Sequence, residues 1–382
     1  MPTTLLLDRS PVGLRAALPA MLALTVQRVV LLGSAAAGPG DLDLVRWDGN
    51  WYRMVATVGY VHPPGIGPTG EPSALSDLAF FPLYPFLAKL VAATGCPVEV
   101  ALLGIAWLAT LAAGWGIFAV GRAVAGARAA TLLVVLWGAA PRSLVTVLPY
   151  SEPLFTAAVA WCLYFALRRR WVAAALVCAV AGLTRAAVLP LVAALVLHAV
   201  LLLAWPAGRG RGSWRGDARG LLAVATAGIA GMGAYVAWVA LRTGDLDGYR
   251  NVQRTWGTTA GMPWASVRTY LTERAGGMGG FLYGDYIAIV VLVYAVLLVW
   301  MLARRDHPLL TGFAGATWLW TMAAQGFFHA KARFLLPAFP AWLPLAAWLA
   351  ARPAWAQAVT VVGLSALSVV TDLAVLAGPW SP

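Results

Sequence analysis

Charge is scarce in this chain: 11% of its 382 residues are Asp, Glu, Lys or Arg, where a soluble domain carries about 25%. That scarcity excludes an ordinary soluble enzyme and a disordered chain. Lysine is nearly missing, with Lys89 and Lys331 alone, and cysteine is limited to Cys96, Cys162 and Cys178. Three scattered cysteines make neither a disulfide framework nor a zinc site. The net charge of +12 does not point to nucleic acid, because the arginines punctuate apolar runs instead of forming a basic stripe. No repeat of fixed period is visible, and no soluble domain of its own. What the chain does have is hydrocarbon: 61% of its residues are hydrophobic. This is the composition of an all-α, multi-pass protein of the lipid bilayer.

About 20 apolar residues cross a ~30 Å hydrocarbon core as a helix. That ruler predicts about eleven spans: 14–34, 98–121, 129–148, 152–167, 171–186, 188–206, 220–241, 285–303, 308–328, 334–351 and 354–377. Two long polar stretches, 35–79 and 242–284, interrupt the series. The segment 80–94 is apolar but short, with Pro82 and Pro85 in its first turns. The positive-inside rule decides its placement. Arginine-rich loops at Arg122/Arg128, Arg168–Arg170, Arg209–Arg219, Arg304/Arg305 and Arg352 share one side only if 80–94 does not cross. The expected organisation is one membrane domain, 1–382. Its first outer loop (35–97) contains interfacial helices, and a second long outer loop covers 242–284. Ala35-Ala36-Ala37 imitates a signal-peptidase site, yet Gln27 and Arg28 interrupt the apolar run before it, so the first helix is expected to be retained.

This topology gathers the polar residues on one face. The first loop supplies Arg46, Trp47, Asp48, Asn50, Trp51 and Tyr52; later turns supply Arg142, Tyr150, Glu152, Arg185, His329, Lys331 and Arg333. Ionisable groups near membrane depth are expensive and usually mark a site. Asp48 has a plain structural reading, as a helix N-cap before Gly49, which leaves the surrounding Arg46, Trp47, Trp51 and Tyr52 unexplained. One arginine near a helix end commonly snorkels to headgroups. Four cations together, Arg142, Arg185, Lys331 and Arg333, suit a phosphate, whose oxygens guanidinium forks grip bidentately. Asp41-Leu42-Asp43 imitates a metal-binding pair but is most simply a solvated loop.

The run Arg46-Trp47-Asp48-Gly49-Asn50-Trp51-Tyr52, with Gly59-Tyr60 and Ala79-Phe80-Phe81-Pro82-Leu83-Tyr84-Pro85, resembles the PIG-V family of mannosyltransferases. Pro149-Tyr150-Ser151-Glu152-Pro153-Leu154-Phe155 is similar to that family's Tyr-Ser-Glu-x-Leu-Phe segment, and Arg333-Phe334-Leu335-Leu336-Pro337 to its late Arg-Phe-x-x-Pro segment. The resemblance implies a GT-C fold whose first outer loop carries an essential acid, here Asp48. It implies a polyprenyl-phosphate-mannose donor. Eukaryotic members mannosylate the glycosylphosphatidylinositol core; this chain departs from them in Gly49-Asn50.

The expected activity is transfer of mannose from that donor to an extracytoplasmic glycan or glycolipid, with inversion and Asp48 as general base. Arg333, Arg185, Lys331 and Arg142 would bind the donor phosphate. Arg46, Trp47, Trp51, Tyr52, Tyr150, Glu152 and His329 would bind sugar or acceptor. Phosphate is already a good leaving group, so no cofactor is required, and a divalent metal is not favoured. The residues alone leave three alternatives open: transfer of another lipid-linked sugar such as arabinofuranose or rhamnose, a lipid-linked saccharide transporter or flippase, and a lipid-binding scaffold.

Overall fold

Prolines and one glycine interrupt the segments that apolar length alone would make continuous spans. The computed structural model describes residues 12–37, 43–61, 75–204, 213–257, 259, 261–262, 264–275, 284–378 and 381–382. In chain order the helices are α1 (Leu14–Ala36), α2 (Asp48–Val58), α3 (Leu83–Ala92), α4 (Val98–Gly138), α5 (Glu152–Leu167) and α6 (Trp171–Thr184). There follow α7 (Val188–Ala204), α8 (Ser213–Thr243), α9 (Gly248–Thr255), α10 (Trp264–Ala275) and α11 (Asp285–Arg304). The chain ends with α12 (Pro308–Ala323), α13 (Lys331–Phe334), α14 (Leu343–Ala350) and α15 (Ala354–Leu376).

Every segment expected to span contains a helix, but several differ in extent. The spans expected at 98–121 and 129–148 are one helix, α4, broken at Gly126, whose φ of 83° only glycine adopts freely. The second half stops at Gly138, ten residues early. Pro141 and Pro149 disfavour helix in the residues before them, and Arg142 takes a left-handed φ of 61°. The span expected at 334–351 is likewise irregular: a 3-10 stretch carrying Pro337 and Pro340 precedes α14, and together they are bent by 62° from the helical segment Phe328–Phe334 before them. Among the described residues five helices, α1, α4, α8, α11 and α15, are long and apolar enough to cross a membrane, or six with the bent pair. Helices α5, α6, α7 and α12 have 14 to 17 residues. The ten residues of α3 rise only about 15 Å, half the hydrocarbon core, which fits a helix that does not cross.

One core of Ala, Val, Leu and Phe runs through α1, α4 to α8, α11, α12 and α14. A smaller aromatic core joins α2, α3 and the start of α4. Between α4 and α5 the chain is irregular, and irregular backbone inside an apolar bundle needs partners. Arg28 of α1, 3% exposed, donates to Ser143 O at 2.9 Å, to Thr146 Oγ1 at 2.8 Å and to Gly138 O. Asp372 of α15 accepts from Leu144 N at 3.0 Å, and Thr110 Oγ1 donates to Thr146 O at 2.8 Å. The connection is thereby locked from three helices. It delivers Tyr150-Ser151-Glu152 to the start of α5.

Removing Arg28 would strip donors from Gly138 O and Ser143 O and leave Asp372 with less compensating charge. Arg28→Ala is expected to cost about 3 kcal/mol, the lower end for breaking a buried charged network. The unfolding midpoint of the purified protein in detergent, compared with the native chain, measures it.

Candidate active site

Asp48 is the first residue of α2, and its position rests on two local features. Trp47 before it holds φ 51° and ψ −119°, a strained conformation for a non-glycine residue, of the kind that clusters at functional sites. Gly49 after it lies so close to the next connection that a Cβ there would sit 2.6 Å from Pro149 Cγ. The first long loop and the Pro149–Glu152 turn therefore meet through the one residue type that permits contact. Trp47 is the N-cap, and no side chain caps the helix. The N-cap reading of Asp48 is thus corrected: its carboxylate is engaged elsewhere.

That engagement is with Arg333. Arg333 Nη1 donates to Asp48 Oδ2 at 3.0 Å, and its Nε lies 3.2 Å from Glu152 Oε1. Arg185 Nη1 lies 2.9 Å from Glu152 Oε2 and donates to Ser151 Oγ at 2.9 Å. Tyr52 Oη donates to the same Ser151 Oγ at 2.7 Å. Two carboxylates and two guanidiniums thus alternate as Asp48, Arg333, Glu152, Arg185. Glu152 is 2% exposed and Arg333 7%. Burial pushes the Tyr52 hydroxyl well up, against the opposing charge of Arg185, so it stays a neutral donor. Among the described residues neither arginine's Nη2 is engaged. The carboxylates orient both forks and leave donors for a further ligand.

The cluster lines a cavity of about 470 Å³, within the range of small-molecule sites, roughly 300–1,000 Å³. Of the residues expected in the site, Trp47, Asp48, Trp51, Tyr52, Glu152, Arg185, His329 and Arg333 line it. His329 Nε2 is 3.5 Å from Ser381 Oγ at the rim.

Four residues expected here have other duties. Lys331, 1% exposed, donates to Thr321 O and Ala324 O at 2.7 Å each, closing the end of α12, where carbonyls lack helical partners. Arg142 is fully buried, donates to Thr371 O at 3.3 Å and stacks over Tyr286. Arg46 donates to Leu376 O at 2.7 Å and Gly378 O at 3.2 Å, closing the end of α15. Tyr150, fully buried, sits under the Arg333 guanidinium at 5.2 Å from ring centre, supporting that cation from behind. None of the four lines the cavity. Asp43 accepts from Val45 N at 2.9 Å in an exposed turn, and Asp41 lies outside the described residues.

The sequence reading missed Tyr249, Gln253 and Trp256, on and just after α9 in the second long loop, which also line the cavity. Their spacing, i, i+4 and i+7, places them on one helical face; that signal was present. Burial pushes the Tyr249 hydroxyl up, while Arg185's charge and the Gln253 amide, 2.9 Å from Tyr249 Oη, act the other way.

No known family model matches the chain, and no curated protein matches it. Solved structures match in fold. ArnT from Cupriavidus metallidurans bound to undecaprenyl phosphate aligns with a TM-score of 0.56 at 17% identity, covering 91% of this chain and 62% of ArnT. The apo state of that protein gives 0.56 at 20% identity, with coverages of 90% and 61%. The apo oligosaccharyltransferase of Archaeoglobus fulgidus gives 0.48 at 14% identity, with coverages of 97% and 56%. This chain thus spans less than two thirds of the length of the proteins it resembles. Its fold is that of the GT-C glycosyltransferases, an all-α, multi-pass membrane architecture.

Gly49→Ala tests the junction between the two motifs. The added methyl meets Pro149 at 2.6 Å, so α2 must move and carry Asp48 away from Arg333. A misplacement of about 1 Å costs on the order of 100-fold in turnover. The expected result is such a loss in whatever turnover this site supports, with an unfolding midpoint near that of the native chain.

Proposed function

We propose that the protein is a membrane glycosyltransferase that moves mannose from a polyprenyl-phosphate donor to a hydroxyl of an extracytoplasmic glycan or glycolipid. The single observation that carries the reading is Asp48 beside Arg333 and Arg185 in one cavity, with both arginines held by Glu152. A carboxylate beside a pair of oriented phosphate-binding forks suits glycosyl transfer from a sugar phosphate. The GT-C fold supports the class, and a protein of the same fold was solved with undecaprenyl phosphate, the same chemistry as the proposed carrier. Mannose comes from the resemblance of the Trp47-Asp48, Tyr150-Ser151-Glu152 and Arg333-Phe334 segments to PIG-V enzymes.

In this reaction Asp48 takes the proton of the acceptor hydroxyl as its oxygen attacks the anomeric carbon. The bond from that carbon to the phosphate oxygen breaks, and the polyprenyl phosphate leaves with the electron pair. Arg333 and Arg185 meet the charge that develops there. One displacement inverts the anomeric carbon, so a β-linked donor gives an α-linked product. Glu152 is the hinge of the site, since it keeps both guanidiniums aimed while their second nitrogens face the phosphate. Sugar nucleotides are cytosolic, so a lipid-carried sugar fits a site on the outer face, the side that the arginine distribution assigns to both long loops.

Purified protein, incubated with labelled polyprenyl-phosphate mannose and a membrane extract, is expected to yield a labelled product cleaved by α-mannosidase. Asp48→Asn is expected to lower that rate at least ~100-fold, the lower end for losing a general base, with donor binding retained. No product from any polyprenyl-phosphate sugar would remove the reading.

A second measurement concerns the phosphate. Arg333→Ala, and to a lesser degree Arg185→Ala, should weaken binding of a short-chain polyprenyl phosphate by about 10- to 150-fold, the worth of a charge-assisted contact of roughly 1.5–3 kcal/mol. Arg333→Lys should restore only part, because it keeps charge and loses the fork. Lys331→Ala, whose ammonium faces carbonyls, should destabilise the fold and leave affinity in the folded fraction unchanged.

A further inference from the structure

The lining of the cavity is not uniform. The cations and acids come from α2, α5, α13 and the turn before α7. The face of α9 brings none: it presents Tyr249, Gln253 and Trp256. The helix does carry two arginines, but Arg250 pairs with Asp247 at 2.9 Å and Arg254 reaches Asn251, both on the exposed side. A phosphate is therefore not what this face recognises.

An aromatic stripe near a membrane surface is often only an interfacial anchor, with its polar tips turned to headgroups. Here the tips are turned to protein. Trp256 Nε1 donates to Ser76 O at 2.9 Å, and the indole meets Trp51 and Phe80 edge-on, each at 5.3 Å between ring centres. Gln253 Nε2 donates to Tyr249 Oη at 2.9 Å. The chain beyond is tied to the end of α12 and the segment after it, with Gln325 N donating to Thr259 O and Gly261 N to Ala323 O, both at 2.8 Å. The group is rigid before any ligand arrives, which lowers the entropy cost of binding. Gln253 is the only carboxamide among the described lining residues. Among the described residues its carbonyl oxygen and second amide proton make no hydrogen bond, which leaves them for a ligand.

We infer that Trp256, with Gln253 and Tyr249, forms a hexose subsite in which the ring's C–H face stacks on the indole and its hydroxyls bond to the carboxamide. This chemistry is neutral, planar on one side and polar at the edge, and a pyranose has that shape. The inference rests on the glycosyl-transfer reading for its place in a reaction, not for its geometry. The hexose is either the donor's or the acceptor's, and kinetics separate the two.

The test uses the full-length protein in detergent and three variants: Trp256→Ala, Trp256→Phe and Gln253→Ala. Binding of methyl α-mannoside is followed by saturation-transfer NMR without donor. Initial rates are then measured with polyprenyl-phosphate mannose and octyl α-mannoside, each varied in turn. Trp256→Ala and Gln253→Ala are expected to weaken methyl mannoside binding and to raise one KM by ~5- to 10-fold, in line with aromatic stacking, with kcat within about threefold. A raised KM for octyl mannoside places the acceptor there, and one for the lipid donor places the donor sugar. Trp256→Phe keeps a ring but loses the bond to Ser76, and should retain most of the affinity; equal loss in Phe and Ala would overturn the stacking role. Unchanged binding and unchanged KM values in all variants, with active native enzyme, would overturn the subsite and leave the transfer reading intact. Mannoside binding that is lost in Trp256→Ala, in a protein that transfers no sugar, would keep the subsite and remove the reaction.

Discussion

The contact between Arg333 and its two carboxylates is the one on which the site depends. Asp48, Glu152 and Arg333 come from three segments far apart in sequence, and the guanidinium joins them at 3.0 and 3.2 Å. A buried ion pair is a poor source of stability, since desolvation offsets much of its Coulomb gain. Its value here is geometric. The cluster is neutral as a set, because Arg185 balances the second acid, and a neutral set is what a low-dielectric interior tolerates. Removing any one member leaves an uncompensated charge, so the four hold one another to a single arrangement.

The second constraint is irregular backbone within an apolar bundle. Two connections, after α4 and after α12, leave the helix, the first at Pro141 and the second ahead of Gly326, whose φ is 92°, and their carbonyls need donors. Arg28 supplies them after α4 and Lys331 after α12, and Arg46 does the same at the end of α15. The breaks are functional as well as costly, since each ends in site residues, Ser151-Glu152 in one and His329 and Arg333 in the other. The chain uses long cationic side chains for this because one guanidinium or ammonium can satisfy several carbonyls at once.

That division of labour explains what was legible in the sequence and what was not. The all-α membrane architecture followed from composition alone, and helix appeared in every segment where apolar length predicted it. Asp48, Glu152, Arg185 and Arg333 were readable because acids and arginines recur at turns that the arginine asymmetry puts on one side. Lys331 and Arg142 looked the same by that criterion. A cation beside a helix end satisfies carbonyls or awaits a ligand, and residue type does not distinguish these; only the direction of the side chain does. Arg46 and Tyr150 were misplaced for a related reason, since each belongs to a motif that lines the cavity, yet Arg46 reaches the end of α15 and Tyr150 packs against Arg333. The α9 face was missed because it lies in a polar loop where no apolar run directs attention, although its i, i+4, i+7 spacing is plain once helix is assumed.

The cavity also bears on the choice between a transferase and a carrier of lipid-linked saccharides. A carrier must accommodate its whole head group and release it on both sides, whereas about 470 Å³ suits a sugar phosphate with part of an acceptor. A carrier also has little use for a carboxylate held against the guanidinium that would grip its anionic cargo, because Asp48 competes with the phosphate for Arg333. For a transferase the pair has a use: both groups stand within reach of one sugar, the base on one face of the anomeric carbon and the phosphate-binding cation on the other. In the present arrangement Arg333 fixes Asp48 through Oδ2, so under the proposed reaction one guanidinium would aim the base and also serve the phosphate. Fold similarity by itself does not establish function; this pairing of base and cation on one small cavity is the feature that a transport function leaves without a purpose.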